Sequence, residues 1–441
     1  MGTDAFQEAD IIGFTTPCTK WNMVVRDIRD LPAQMNDAFR IAMSGQSGPV
    51  LVALPKDVTS AVLEDAIRLT PFQSIPTVVY CPVLQSDVFK ANRSASIQRC
   101  AELINVAQKP VIYAGQALLM RTEGRRVLAQ LAETACLPVT ASLLGLGFYA
   151  NKAIQTADLI LTLGPRFDDR AIGDPTRFAP AARKAGKEQR GGILHFEIHP
   201  PHINKAIKCN DFVLGDVTEV LTELLPYFQK VESRPNWMGQ ISDWKKTYPM
   251  QATIPQSTNI SPKYAIMLLS ELTEMTNKRT IITTGAGSHQ MWTAQYFRWT
   301  GNCSLVTSGG AGTMGFGIPA AVGAQLAEPD AMVIDIDGDA SLSMSLHEMA
   351  SAVERGLPIK ILRHVGVHQR NPDFVKVADG MGFKAQRLDA MADIEAKLEW
   401  FIHSEGPVLL DVQVDDKIPV LPWVPTGKSL DEMIIDAIQL P

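Results

Sequence analysis

Cysteine is scarce in this 441-residue chain, and its six copies stand apart. Cys18, Cys81, Cys100, Cys136, Cys209 and Cys303 form no CxxC pair. That spacing argues against a disulfide framework or a zinc site and predicts buried free thiols of a reducing compartment. Long apolar runs are missing too, so no stretch suffices to cross a bilayer. There is no long basic run and the net charge is −6, which argues against nucleic acid or an anionic membrane as partner. The opening "MGTDAFQEADIIGF" has no basic, apolar or amphipathic targeting segment. It drops at once into strand-like sequence and predicts a domain that has lost what came before. What is present is 46% hydrophobic and 20% charged, the balance of a soluble globular protein, at a length that suits two or three domains.

Along the chain, strands and helices alternate. "DLPAQMNDAFRIAM" spaces apolar residues as a helix from Leu31 to Met43, and Pro49 to Leu54 read as a buried strand. Residues 66–90 are proline-rich, lack period and read as a linker. From there "SIQRCAELINVAQ", "KPVIYAG", "TEGRRVLAQLAETAC", "LPVTASL", "ADLILTLGPRFDDR" and "GGILHFEIHP" repeat a helix–strand rhythm through residue 226. Such a rhythm predicts a parallel sheet with helices on both faces. Residues 227–262 read as a second linker. Ser261 is a candidate N-cap with Pro262 at the first helical position, and "RTIITTGAG" and "LPIKILRHV" read as strands of a last unit, 263–441.

The chemistry concentrates in "AMVIDIDGDASLSMSLHEMASAVERG". Met332 to Ile336 form a strand, Gly338 allows a sharp turn, and Asp339 lands at the strand exit, where open parallel sheets collect ligands. Ala340 and Ser341 then open a helix expected to end at Arg355 with Gly356 as its cap. A carboxylate and a helix start that attracts phosphate conflict unless a divalent cation joins them, and magnesium suits that oxygen set. "TTGAGSHQMW" sets Gly285 and Gly287 after another strand, beside Ser288 and His289. "TSGGAGTMGFG" sets five glycines around Thr313 and Met314, whose soft side chain could support a flat heterocycle. Read singly, each loop is a turn and His289 is structural. A second reading stays open: "DIDGD" resembles the haloacid-dehalogenase-type phosphatase signature, with Asp335 as nucleophile and Asp337 as acid/base.

"GTDAFQEADIIGFTTPCTKWN", "GPVLVALPKDV", "RFDDR", "HFEIHP", "GAGSHQMWTAQ", "TSGGAGTMGFGIPAA", "DIDGDAS", "HQRNPDF" and "IPVLPWV" follow one another in order. In these the chain resembles the acetolactate synthase catalytic subunit, above all its fungal mitochondrial form. The resemblance implies a three-domain α/β thiamine-diphosphate enzyme with parallel sheets flanked by helices. Here the first domain would be partial, at 1–65, with 91–226 the central FAD-type domain and 263–441 the diphosphate domain. The family condenses pyruvate with pyruvate or 2-oxobutyrate, releasing carbon dioxide, on the way to valine, isoleucine and leucine. Its cofactors are thiamine diphosphate, Mg2+ and FAD, and it works as a homodimer or higher oligomer with a possible regulatory subunit. By motif, Asp339 would hold magnesium, and Gly287, His289, Gly312, Gly338, Ala340 and Ser341 would surround the diphosphate. Met314 would lie under the cofactor, and Arg170 would read a keto-acid carboxylate with its planar fork. Gln7 and Lys56 would line the channel from the other subunit, although Lys56 on its own reads as a solvated surface lysine. The FAD positions would be Gly115, Gly164, Arg166, Asp168, Glu197, Ile198, Gly215, Asp216, Gln290 and Met291.

Three departures shape the expectation. The family's catalytic glutamate has no counterpart in this chain. "LLGLG" at Gly147 runs straight into "FYANKAIQTADL", where the family has a loop and helix. After "IKIL" the family has asparagine, asparagine and glutamate, then a tryptophan-bearing segment, whereas here "RHVGVHQRNPDF" follows. Asn371, set before Pro372, is expected not to replace those ligands. A truncated, internally deleted product with little turnover is the expectation, with a non-catalytic FAD-binding or subunit-pairing relative as the alternative.

Overall fold

A computed structural model describes residues 10–62, 87–115, 118, 122–141, 148–165, 167–231, 233–248, 259–301, 303–364, 371–415 and 418–435. Gln7, Arg166 and the junction at Gly147 lie outside these residues. Contacts divide the chain into two compact units. One gathers Met1–Val139, Thr156–Phe167 and Ala179–Arg234; the other gathers Thr140–Gln155, Asp168–Phe178 and Pro235–Pro441.

In the first unit, β1 (Trp21–Val24) and β2 (Val50–Ala53) make a two-stranded parallel sheet whose residues are all half-buried. The helix Leu31–Met43 forms where the apolar spacing places it, yet Phe39 and Met43 stay exposed, as do Phe14 and Leu54. A five-stranded parallel sheet follows: β3 (Pro110–Ala114), β4 (Val139–Ala141), β5 (Leu159–Leu163), β6 (Gly192–Glu197) and β7 (Asp211–Leu214). Every residue of β3, β5 and β6 is buried, as their near-continuous apolar runs require in a sheet covered on both faces. The spatial order is β4-β3-β5-β6-β7, so the strand sequence reverses between β3 and β5.

The second unit carries a six-stranded parallel sheet: β8 (Thr280–Thr284), β9 (Cys303–Thr307), β10 (Met332–Gly338), β11 (Lys360–His364), β12 (Lys384–Leu388) and β13 (Val408–Val412). The order β12-β13-β11-β10-β8-β9 reverses between β8 and β10. At such a switch point the connections leave to opposite faces and open a crevice at the carboxyl edge. Ser261 caps the helix Pro262–Met275 by accepting from the Tyr264 amide, with Pro262 at its first position.

Three local expectations are corrected. Helix begins at Asp87, inside the span read as the first linker. Within the second, Pro235–Thr247 is helical, because Trp237 buries itself and meets Trp244 edge-on at 6.0 Å. The helix after Asp339 is not continuous. It runs Asp339–Ser343, breaks, and resumes as Glu348–Glu354, with Arg355 as C-cap and Gly356 at φ +63°. The Ser343 hydroxyl donates to the Asp339 carbonyl at 2.7 Å, a local bond that competes with helical continuation, and Ser345 is buried in the break.

Candidate functional site at a strand switch point

The ends of β8 and β10 bring the singled-out residues together. Gly285 leaves no room for a side chain: a Cβ would sit 1.9 Å from Ser341 Oγ and 2.5 Å from Asp337 Oδ1. A Cβ on Gly317 would meet Asp335 Oδ1 at 2.3 Å. Gly287 and Gly338 both press on the Nδ1–Cε1 edge of His289, where a Cβ on either would lie 2.8 Å from the ring. These four glycines are therefore dictated by the polar side chains packed against them. Gly312 differs, since its φ is +63° and nothing lies within 4 Å of where its Cβ would be. It stands beside Thr313 and Met314, the latter 39% exposed in an otherwise small-residue loop. The Ser341 hydroxyl accepts from the Gly315 amide at 2.9 Å and ties that loop to the end of β10. Ala340, between Asp339 and Ser341, is half-buried.

Several ionisable groups sit deep in this edge. Asp335 is fully buried and its Oδ1 accepts from the Thr283 hydroxyl at 2.9 Å. Burial, and then the neighbouring Asp337 charge, pushes its carboxyl well above the usual range, against the pull of the Thr283 bond. Asp337 is equally buried and accepts from the Gly338 amide. Neither faces solvent, so the phosphatase reading lacks a reachable nucleophile. His289 is 5% exposed, with Nε2 3.1 Å from Asp337 Oδ1 but out of line for a hydrogen bond. It is a packed side chain at the strand edge.

His364, at the end of β11, is buried with both ring nitrogens unpartnered among the described residues. Burial, then His289 and Arg363, hold its pKa down to about 3 from 6.5. The folded state thus keeps it neutral while the unfolded chain takes up a proton. Its contribution to stability is intact above the unfolded value and is lost as pH falls from 6.5 toward about 3. At pH 5 that costs about 2 kcal/mol. His364→Leu is expected to raise unfolding free energy at pH 7, as removal of an unsatisfied buried polar ring should. It should also shrink the loss between pH 7 and pH 5 by about 2 kcal/mol in denaturant titrations. An unchanged pH dependence would contradict this.

Asp339 is 5% exposed at the crevice, and its Oδ2 accepts from Asn371 Nδ2 at 2.9 Å. Asn371, expected from its place before Pro372 not to replace the family's ligands, thus lies beside Asp339 as a hydrogen-bond donor. Pro372 keeps Asn371 out of helix, which leaves its side chain free to turn toward β10 just before the helix Phe374–Gly380. The donor set, a buried carboxylate and a carboxamide, fits a hard cation. Magnesium needs only one or two protein oxygens when phosphates and water complete its shell.

Arg170 lies on the short helix Asp169–Ile172 and opens onto a cavity of about 310 Å³. Met291, Pro419, Val420, Leu421 and Trp423 form its apolar wall. The wall is pinned: Tyr296 donates its hydroxyl to the Leu421 carbonyl and Gln295 donates to that of Pro422, both at 2.9 Å. Met291 and Gln290 follow His289 on one helix, and Gln290 Nε2 donates to Thr307 Oγ1 at 2.7 Å. Neither the cavity nor its wall was evident from sequence, because its residues come from three distant segments.

In the first unit, Gly115, Gly164 and Gly215 follow β3, β5 and β7. Their amides donate to Leu163, Phe196 and Glu197 carbonyls and carry the ladder one step past the strands. A Cβ on Gly115 would strike the Gly164 backbone at 2.5 Å, and Gly164 has φ +71°. Glu197 ends β6, its Oε1 accepting from the Ile198 and His199 amides and its Oε2 3.4 Å from His202 Nδ1. Asp216 caps the helix Val217–Leu224 through the Thr218 amide. A glycine crevice at the β3/β5 reversal with a carboxylate on a neighbouring strand end fits a nucleotide ribose and pyrophosphate. Asp168 caps its own turn through the Ala171 amide and, with Gln290 and Met291, belongs to the other unit. Lys56 is the exposed first residue of the helix Lys56–Ser60.

The chain is similar in sequence to known proteins. Residues 285–365 and 362–412 match the thiamine pyrophosphate enzyme C-terminal TPP binding domain, and 148–224 match the thiamine pyrophosphate enzyme central domain. The chain is 44% identical to the mitochondrial acetolactate synthase catalytic subunit of Saccharomyces cerevisiae, over 98% of this chain and 68% of that protein. It is 43% identical to the Aspergillus candidus counterpart, over 99% and 69%. Against the acetolactate synthase isozyme 1 large subunit of Escherichia coli it is 36% identical, over 98% and 79%.

Proposed function

Because the chain belongs to the acetolactate synthase catalytic-subunit family of thiamine-diphosphate enzymes, we propose that its β8/β10 edge holds the diphosphate through magnesium at Asp339 and that its Arg170 cavity receives the 2-keto acid. The observation that carries this reading is the coincidence of a topological switch point, a buried carboxylate at the strand exit and an open glycine loop at Gly312. Bound there, thiamine diphosphate supplies the nucleophilic carbon and the electron sink that decarboxylation and carboligation need. Asp339 neutralises and fixes the cation. Gly312 leaves its backbone open to phosphate oxygens, and Met314 offers a polarisable surface beside it. Arg170 orients a carboxylate by paired N–H donors, while Met291, Val420, Leu421 and Trp423 keep water from the alkyl side.

FAD would be held in the first unit by Gly115, Gly164, Gly215, Glu197, Ile198 and Asp216. Its relatives' names place those proteins in mitochondria, and we assign this chain the same compartment. A homo-oligomer, with a regulatory subunit as possible partner, completes the reading.

Arg170→Gln tests the substrate side. Loss of a charge-assisted fork is expected to weaken pyruvate binding about tenfold to a hundredfold, with Arg170→Lys in between. Saturation-transfer NMR against pyruvate, with thiamine diphosphate and Mg2+ present, reads the change. Equal pyruvate affinity in all three proteins would remove Arg170 from the site. An acetolactate assay on the purified chain then measures turnover, and rates near those of the relatives would contradict the expectation of little turnover.

A further inference from the structure

We propose that His202 governs how firmly Glu197 holds a nucleotide ribose in the first unit and loosens that hold in acid, a role that rests on the FAD reading above. The two oxygens of Glu197 are not equivalent. Oε1 accepts from the Ile198 and His199 amides at 2.8 Å and 3.0 Å, which fixes the carboxylate at the end of β6. Among the described residues, Oε2 faces only imidazoles, with His202 Nδ1 at 3.4 Å and His195 Nε2 at 3.8 Å. Oε2 is thus the acceptor left for a ribose hydroxyl.

Local sequence places His202 there. Two prolines open a tight helical turn, Pro200–His202, in which the His202 amide donates to the His199 carbonyl at 3.0 Å. The turn folds the half-buried His202 back toward β6, with the His199 ring edge-on to it at 4.7 Å. The other groups facing this cluster are His195, His199, Lys205 and Lys20. His195 is buried against the Phe167 ring. Burial, against the pull of Glu197 and with the push of His202, holds its pKa down to about 4. Burial, then His202, lowers that of His199; Glu197 opposes them, and Lys205 and Lys20 add to them. An ordinary imidazole changes charge between pH 5 and 8. A neutral His202 carries one N–H and presents a bare Nδ1 when that proton sits on Nε2, which leaves Oε2 to a ribose hydroxyl. A protonated ring donates from Nδ1 without choice, and its charge-assisted bond takes the place of the hydroxyl's. By linkage, a bound nucleotide opposes protonation of His202.

The competing role is purely structural: His202 does no more than hold the turn. Flavin fluorescence polarisation separates the two by measuring FAD affinity of the purified chain at pH 8 and pH 5.5. Wild type, His202→Asn and Glu197→Gln are compared, and thermal unfolding follows the stability of each. Wild type is expected to bind FAD about fivefold to tenfold more weakly at pH 5.5, the difference between a neutral and a charge-assisted bond at Oε2. His202→Asn keeps a polar group that takes up no proton, so its affinity should differ by less than about twofold between the two conditions. Glu197→Gln should bind more weakly than wild type at pH 8 and show the same flat profile. A structural role predicts lower stability for His202→Asn with the acid loss intact. If that loss persists in either variant, or wild type shows none, the role of His202 is overturned and the FAD reading stands. If wild type takes up no FAD at either pH, both fall together.

Discussion

Asp411→Ala will destabilise the second unit by about 3–5 kcal/mol, the cost of leaving a buried charge unpaired. Asp411 and Arg363 are 1% and 2% exposed and pair directly between neighbouring strands. Arg363 has nowhere else to turn: its Nε and Nη2 already lack partners among the described residues, and its guanidinium lies over the Phe374 ring at 4.1 Å. Asp411 is better provided for, since Arg387 and Gln413 also donate to its Oδ2. The two single changes are therefore not equivalent. Arg363→Met leaves a carboxylate with two remaining donors and removes unsatisfied groups, so it should cost much less than Asp411→Ala. A double replacement by well-packed apolar residues should be near neutral. Denaturant unfolding of the three variants checks the ranking, and equal losses for the two single changes would contradict it.

Asp339→Asn will abolish the stabilisation that thiamine diphosphate and magnesium give together. At a ligand concentration a hundred times the dissociation constant, that stabilisation amounts to about 2.7 kcal/mol. The substitution keeps the shape of the side chain and its place beside Asn371, so the apo protein should unfold close to wild type. What disappears is the charge that lets a cation bridge to phosphate. Thermal unfolding with and without both ligands separates the two. A retained ligand shift in Asp339→Asn would place the cation elsewhere.

Much of this architecture was legible in the sequence because it rests on local rules. Apolar periodicity placed the helix Leu31–Met43, and cap chemistry placed Ser261 and Pro262. The glycine at φ +63° after the helix Glu348–Glu354 is the expected Gly356. Asp339 at a strand exit followed from the pattern of β10 alone. What stayed hidden depends on residues distant in sequence. Asn371 reaches Asp339 across 32 residues, a contact that its place before Pro372 does not announce. Gly285 and Gly317 sit in loops that, read singly, are turns. The structure shows that they make room for Asp337, Ser341 and Asp335, a demand no turn propensity reveals. The break after Ser343 and the wall of the Arg170 cavity likewise come from tertiary contacts that override local preference.

Calorimetric titration of the purified chain with thiamine diphosphate, run once with Mg2+ and once with a chelator, tests the central claim most directly. Saturable heat that appears only when Mg2+ is present is the predicted result. Identical traces in the two runs, whether flat or saturable, would contradict the assignment of a metal-bridged diphosphate to Asp339.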